Sequence, residues 1–163
     1  MNVQRVAKIL SNQDDMTVRT VVLDKAQKDK QIIYGARAYN AQAPDNLKKK
    51  TTDYDILTNN PRKSAKEVAE TLTRRTGRPT EVIKGVHKGT YRVKLNGEVV
   101  ADYTQSKGKI GTKKSWGNEY RSLKSIKRNA TRLSNNPKLE YRRDKDLDTL
   151  SKIKEIERIE SIF

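Results

Sequence analysis

Two aspartates, Asp53 and Asp55, flank one tyrosine in the stretch TTDYDIL. In an extended strand residues two apart point the same way, so both carboxylates share one face while Tyr54 and Ile56 share the other. Like charges that close repel. Such a pair persists if both groups are solvated at a strand edge, or if a hard cation with oxygen ligands neutralises them. The chain has no cysteine and a single histidine, His87, which excludes the usual sulfur and imidazole zinc sites. Any catalytic metal is therefore expected to be held by oxygen.

A third carboxylate comes from the plainest hairpin in the sequence, TYRVKLNGEVVADYT, where Asn96 and Gly97 supply the left-handed pair of a two-residue turn. Counted outward from that turn, Leu95 opposes Glu98, Val93 opposes Val100 and Tyr91 opposes Asp102. Asp102 is thus expected at the far end of its strand, beside an aromatic ring. Glu98 is the rival candidate, but it flanks the turn, where charged residues are commonly solvated. Upstream, Gly35 ends the apolar run QIIYG just before the helical pattern ARAYNAQA. A backbone without a side chain at that point lets phosphate approach the free amides of a helix N-terminus.

The elements that must position these groups follow from apolar periodicity and turn signals. Val3, Val6, Ala7 and Leu10 recur at helical spacing, and a second amphipathic stretch covers 14–28. After the QIIYG strand and the helix that Pro44 stops, TDYDIL is a strand. A helix capped by Ser64 follows, closing near Gly77, then the strand TEVIKGV and the hairpin. SKGKIGTKKS reads as a loop, 118–133 as a helix and 139–159 as a last helix. In that last helix Leu147, Leu150, Ile153, Ile156 and Ile159 recur every third residue, so the stripe drifts around the helix. It predicts either a second surface or a frayed end. The fold class expected is α+β, a small mixed β-sheet with helices on one side plus a C-terminal helical segment. Residues 1–105 form the core with N-terminal helices, and 106–163 a basic loop and C-terminal helices.

The order IIYGARAYN, TTDYDIL and VVADYT resembles the nucleotidyltransferase superfamily of DNA polymerase beta, the CCA-adding enzymes and minimal bacterial and viral members. That family's pattern is an apolar strand, glycine followed by Gly or Ser, a helix, then Asp-apolar-Asp, and a third Asp on a later strand. Gly35, Asp53, Asp55 and Asp102 match it, over about residues 30–104. Ala36 stands where Gly or Ser is usual, and 17 residues separate Gly35 from Asp53, more than compact members use. The resemblance implies transfer of a nucleoside monophosphate from a nucleoside triphosphate to a hydroxyl, with release of pyrophosphate. It implies two metal ions, Mg²⁺ or Mn²⁺, held by Asp53 and Asp55, with Asp102 on the catalytic ion, and phosphates cradled by Gly35 and the Ala36 amide. Arg37, in the first turn of the helix, either complements the triphosphate or is an ordinary surface arginine.

The acceptor is read from charge. Lys and Arg number 36 against 20 acidic residues, a net charge of +16 that favours polyanionic partners. Half of that excess lies in residues 106–133, with nine basic groups and one acidic. Lys113, Lys114, Arg121, Lys124, Lys127 and Arg128 are the expected nucleic-acid contacts, of the kind that bind phosphates without reading bases. Trp116 and Tyr120 either stack on bases or pack the following helix onto the sheet, and His87 is expected in a loop. The apolar runs are too short to span a membrane and no signal-peptide block follows Met1, so the chain is expected in the cytoplasm. The reading is a metal-dependent nucleotidyltransferase acting on RNA, tRNA or DNA, its small size suiting a viral or mobile-element origin. The alternatives are transfer to a protein or small molecule, and a non-catalytic, strongly basic nucleic-acid-binding protein.

Overall fold

The computed structural model describes residues 10–162. Its centre is a seven-stranded mixed sheet in the order β3-β4-β5-β2-β1-β7-β6. The strands are β1 (Ile32–Tyr34), β2 (Tyr54–Thr58), β3 (Thr80–Lys84), β4 (Thr90–Leu95), β5 (Glu98–Gln105), β6 (Thr112–Ser115) and β7 (Asn118–Arg121). Among the described residues five α-helices accompany them: α1 (Asn12–Lys28), α2 (Gly35–Gln42), α3 (Pro61–Thr76), α4 (Leu123–Ser134) and α5 (Arg143–Ile162). The fold class is the α+β arrangement expected, with a C-terminal helical segment.

Helix α1 starts at a capping box, in which the Asp14 N–H donates to Ser11 Oγ and the Asp14 carboxylate accepts from the Ser11 N–H. Val18, Val21, Val22 and Ala26 form its buried stripe. Helix α3 begins at Pro61, whose fixed φ and missing N–H suit a first helical position. Ser64, read from the sequence as its cap, is instead a buried residue inside the helix. Gly77 closes α3 in the left-handed conformation, φ 70°, its N–H bonded to the Thr73 carbonyl. Together α1 and α3 cover one face of the sheet, packing Val22, Val68 and Leu72 against Ile33, Ile56, Val93 and Tyr103. Leu10 joins this core, while the helix expected around Val3, Val6 and Ala7 lies outside the described residues.

Two expectations are corrected. First, β4 and β5 are joined at Asn96 and Gly97, but a bulge between Val93 and Lys94 shifts their register. Leu95 faces Glu98 as expected, but Val93 faces Ala101, so Asp102 lies opposite Arg92 and not Tyr91. A bulge adds one residue to one strand, so every pair beyond it moves by one. Second, the segment read as a loop followed by a helix over 118–133 is the β6–β7 hairpin, and α4 starts only at Leu123, capped by Ser122. Strand β7 pairs in parallel with β1, so this hairpin extends the same sheet. Among the described residues no helix is long and apolar enough to cross a membrane.

A second, smaller core joins Tyr39 of α2 to Ile153 and Ile156 of α5, with Leu123 and Ile126 of α4 against them. The drifting stripe of α5 therefore finds a surface over its middle turns. Its buried face is Asp146, Thr149, Ile153 and Ile156, at helical spacing, and Leu147 is exposed. Asp146 is buried because Arg142 pairs with both of its oxygens, at 3.0 Å each.

Candidate active site

Strand pairing builds the site. Tyr34 on β1 lies opposite Asp55 on β2, Asp55 opposite Asp102 on β5, and Asp102 opposite Arg92 on β4. Facing residues point to the same side of a pleated sheet, so these four side chains form one row across its centre, on the face that α1 and α3 leave open. Asp53 precedes the first residue of β2 and adds a third carboxylate. Carboxylate oxygens of Asp53, Asp55 and Asp102 lie within 4.8 Å of one another. All three sequence candidates are thus brought together, while Glu98 lines a different depression beside Val99 and Val100.

The electrostatics reflect that crowding. Burial, reinforced by the charges of Asp53 and Asp102, pushes the Asp55 carboxyl up from 3.8 to about 7. Tyr34 is pushed up to about 12, by burial and then by the Asp55 charge. Its hydroxyl lies 3.1 Å from Thr104 Oγ1. Asp102 accepts a bidentate pair from Arg92, Nε to Oδ1 at 2.9 Å and Nη2 to Oδ2 at 3.0 Å. That fork fixes the carboxylate's plane, and its hydrogen bonds, with the carboxylate charge adding to them, hold the Arg92 guanidinium above its ordinary pKa.

Gly35 stands at the head of α2 with φ 66°, a conformation costly for any residue with a Cβ. It is also sterically required: a Cβ there would overlap Asp55 Oδ2. The backbone therefore turns into α2 in direct contact with the carboxylate cluster. The N-cap, Tyr34, makes no side-chain cap hydrogen bond, which leaves the first amides of α2 to an incoming acceptor.

A cleft of ≈ 650 Å³ holds these groups, with Gly35 and Ala36 on one wall, Asn129 and Ala130 of α4 on another, and Lys49 and Lys145 at its rim. That size suits a nucleotide. Arg121 also lines it, its Nε donating to Ser125 Oγ at 2.9 Å. His87 stands at its edge on the β3–β4 loop. Lys49 donates to Thr149 Oγ1, and burial lowers its pKa.

Arg37 is not brought into the cleft. Its Nε donates to the Asp53 carbonyl at 3.0 Å and its guanidinium lies 4.0 Å from the centre of the Tyr54 ring, which holds the lead-in to β2. Lys113 and Lys114 are exposed on β6, and Lys124 and Arg128 are exposed on α4. Lys127 is exposed too but pairs with Glu157 of α5 at 2.9 Å. Trp116 and Tyr120 part company: Tyr120 packs on the main core, and Trp116 is 97% exposed. Arg92, Tyr34 and Lys49 were not singled out in the sequence. Arg92 could have been found only by placing the bulge.

A family model described as the poly(A) polymerase catalytic subunit matches residues 20–135. The chain belongs to that family. The matched span runs from α1 through α4 and contains every carboxylate of the cluster, so this poly(A) polymerase family chain is a member of the nucleotidyltransferase superfamily. Among solved structures it is similar to the Megavirus polyadenylate synthase, at a TM-score of 0.76 and 19% identity over 86% of this chain. It spans 31% of that protein's chain. No curated protein matches it.

Proposed function

We propose that this chain carries the active site of a metal-dependent nucleotidyltransferase, moving AMP from ATP to a hydroxyl of RNA with release of pyrophosphate. The carrying observation is the trio of carboxylates within 4.8 Å of one another, in contact with the glycine that opens α2. The choice of ATP and RNA rests on the family's description and on the named viral relative.

The donor set fits divalent ions. Three oxygen ligands at close quarters repel one another, which adds to burial in raising the Asp55 pKa, and hard divalent cations relieve that repulsion. Asp53, Asp55 and Asp102 would hold Mg²⁺ or Mn²⁺, and a pair of such ions supplies charge stabilisation to the attacking and leaving oxygens of an in-line displacement. The chain's own residues do the rest. The amides of Gly35 and Ala36 bind phosphate oxygens, and Lys49, Lys145 and Arg121 add positive charge around the same cleft. Arg37 positions Asp53 through its backbone carbonyl. Arg92 orients Asp102 toward the acceptor hydroxyl whose proton leaves as the new phosphodiester forms. Lys113, Lys114, Lys124 and Arg128 offer phosphate contacts to the acceptor strand.

One observation favours a non-catalytic, nucleic-acid-binding chain: Arg92 engages both oxygens of Asp102. The test separates the two. With labelled ATP, Mg²⁺ and single-stranded RNA, the enzyme labels RNA and Asp53→Asn abolishes labelling. A simple binder holds the same RNA with a steep salt dependence, labels nothing, and ignores that substitution.

A further inference from the structure

The β6–β7 hairpin ends in a turn that folding alone does not explain. Trp116, the chain's one tryptophan, occupies the first turn position with φ 52°, followed by Gly117 at φ 83°. Turns with two positive φ values select Asn, Asp or Gly, because a Cβ is strained there. Trp116 is moreover 97% exposed, so its large apolar ring is not buried against any described residue. Both features oppose stability, in a position where asparagine would relieve them.

The tip lies beside the Gln27 side chain of α1. A Cβ on Gly117 would crowd the side-chain amide of Gln27 on α1, so the turn seats closely against the helix and presents the indole outward. Lys113 and Lys114 are exposed on the adjoining edge strand. Edge lysines by themselves serve to keep a sheet edge from pairing with another. An apolar ring at the same edge works against that purpose, whereas lysines beside a projecting aromatic suit single-stranded nucleic acid, whose phosphates and bases they contact together.

Topology sets the position. Strand β7 runs parallel to β1 and ends at Arg121 in the cleft, so Trp116 lies toward the opposite end of the sheet. Five residues at ~3.3 Å each put it roughly 16 to 17 Å from Arg121 along the hairpin. We infer that Trp116 is a stacking site for a base of the single-stranded RNA acceptor, about five nucleotides, at ~3.4 Å per stacked nucleotide, from the part of the strand that passes Arg121. This inference rests on the proposed RNA acceptor.

The single tryptophan makes it directly measurable. Selectively excited emission is followed while RNA of about 15 nucleotides is added, and binding is tracked in parallel by anisotropy of labelled RNA. The expected result is quenching that follows the binding curve, absent with a dinucleotide. Trp116→Asn is expected to bind RNA about ten-fold more weakly while unfolding at no lower temperature, with Trp116→Phe recovering part of the affinity. RNA binding with unchanged emission, or equal affinity in Trp116→Asn, overturns the stacking site and leaves the acceptor reading intact. Absence of any RNA binding overturns both. Emission that shifts to the blue with protein concentration alone overturns it in favour of contact with a second copy.

Discussion

Replacing Asp55 by Asn is expected to stabilise the metal-free protein above neutral pH, and the size of the effect follows from the site. Burial and the two neighbouring carboxylates raise the Asp55 pKa from 3.8 to about 7. Because the folded pKa lies above the unfolded one, the folded state holds its proton more tightly. Stability is full below about pH 4 and is lost as pH rises through about 7. At about 1.4 kcal/mol per unit, the shift sets a ceiling of about 4 kcal/mol on the loss by pH 8. Asn is nearly isosteric and does not ionise, so that loss vanishes in the variant, together with the repulsion between Asp55 and the carboxylates of Asp53 and Asp102. Urea unfolding of both proteins at pH 5 and pH 8 in chelator measures the difference. Because part of the loss is already incurred at pH 5, the variant should gain on the wild type by about 2 to 3 kcal/mol between the two pH values. Millimolar Mg²⁺ should then narrow the gap by stabilising only the wild type. A difference that does not change with pH, or a variant less stable at pH 8, refutes the electrostatic reasoning.

Gly35→Ala should cost about 2 kcal/mol or more in thermal unfolding, since the methyl meets both a left-handed backbone and Asp55 Oδ2, and should lower transfer activity further than stability. Arg92→Ala leaves Asp102, 8% exposed, without its bidentate partner; destabilisation of about 2 to 3 kcal/mol is expected, with Mg²⁺ recovering part of it in a thermal-shift assay. Ile153→Ala opens the small core that ties α5 to α2 and α4. It should cost about 2 to 4 kcal/mol by denaturant titration and raise hydrogen exchange in α5 first.

The part of the fold that carries the carboxylate cluster is legible in the sequence because its signals are local. Asn96 and Gly97 mark one hairpin, Gly35 marks a backbone turn in which a side chain is strained, and the spacing of Asp53 and Asp55 carries to the structure unchanged. What is not legible depends on pairing between distant residues. The bulge at Val93 and Lys94 leaves no mark in composition, yet it exchanges Tyr91 for Arg92 opposite Asp102. Strands β6 and β7 are four residues each, and TKKS is polar on both faces, so alternation is absent. Their turn is Trp-Gly where Asn-Gly is the usual sign, and the basic run after it resembles a helix because most of it, from Leu123 on, is one. In α5 the apolar residues alone suggest a drifting stripe. The true buried face includes Asp146, tolerated only through the Arg142 fork, and Thr149 beside Lys49.

The central claim is that Asp53, Asp55 and Asp102 act together as ligands of divalent ions. Titration of Mn²⁺ into the protein with ATP present, counting free Mn²⁺ by electron paramagnetic resonance, tests it most directly. Saturable uptake by the wild type, lost in both Asp53→Asn and Asp102→Asn at unchanged folding, is the predicted result. No uptake beyond that of ATP alone, or an Asp102→Asn variant that binds Mn²⁺ as the wild type does, contradicts it.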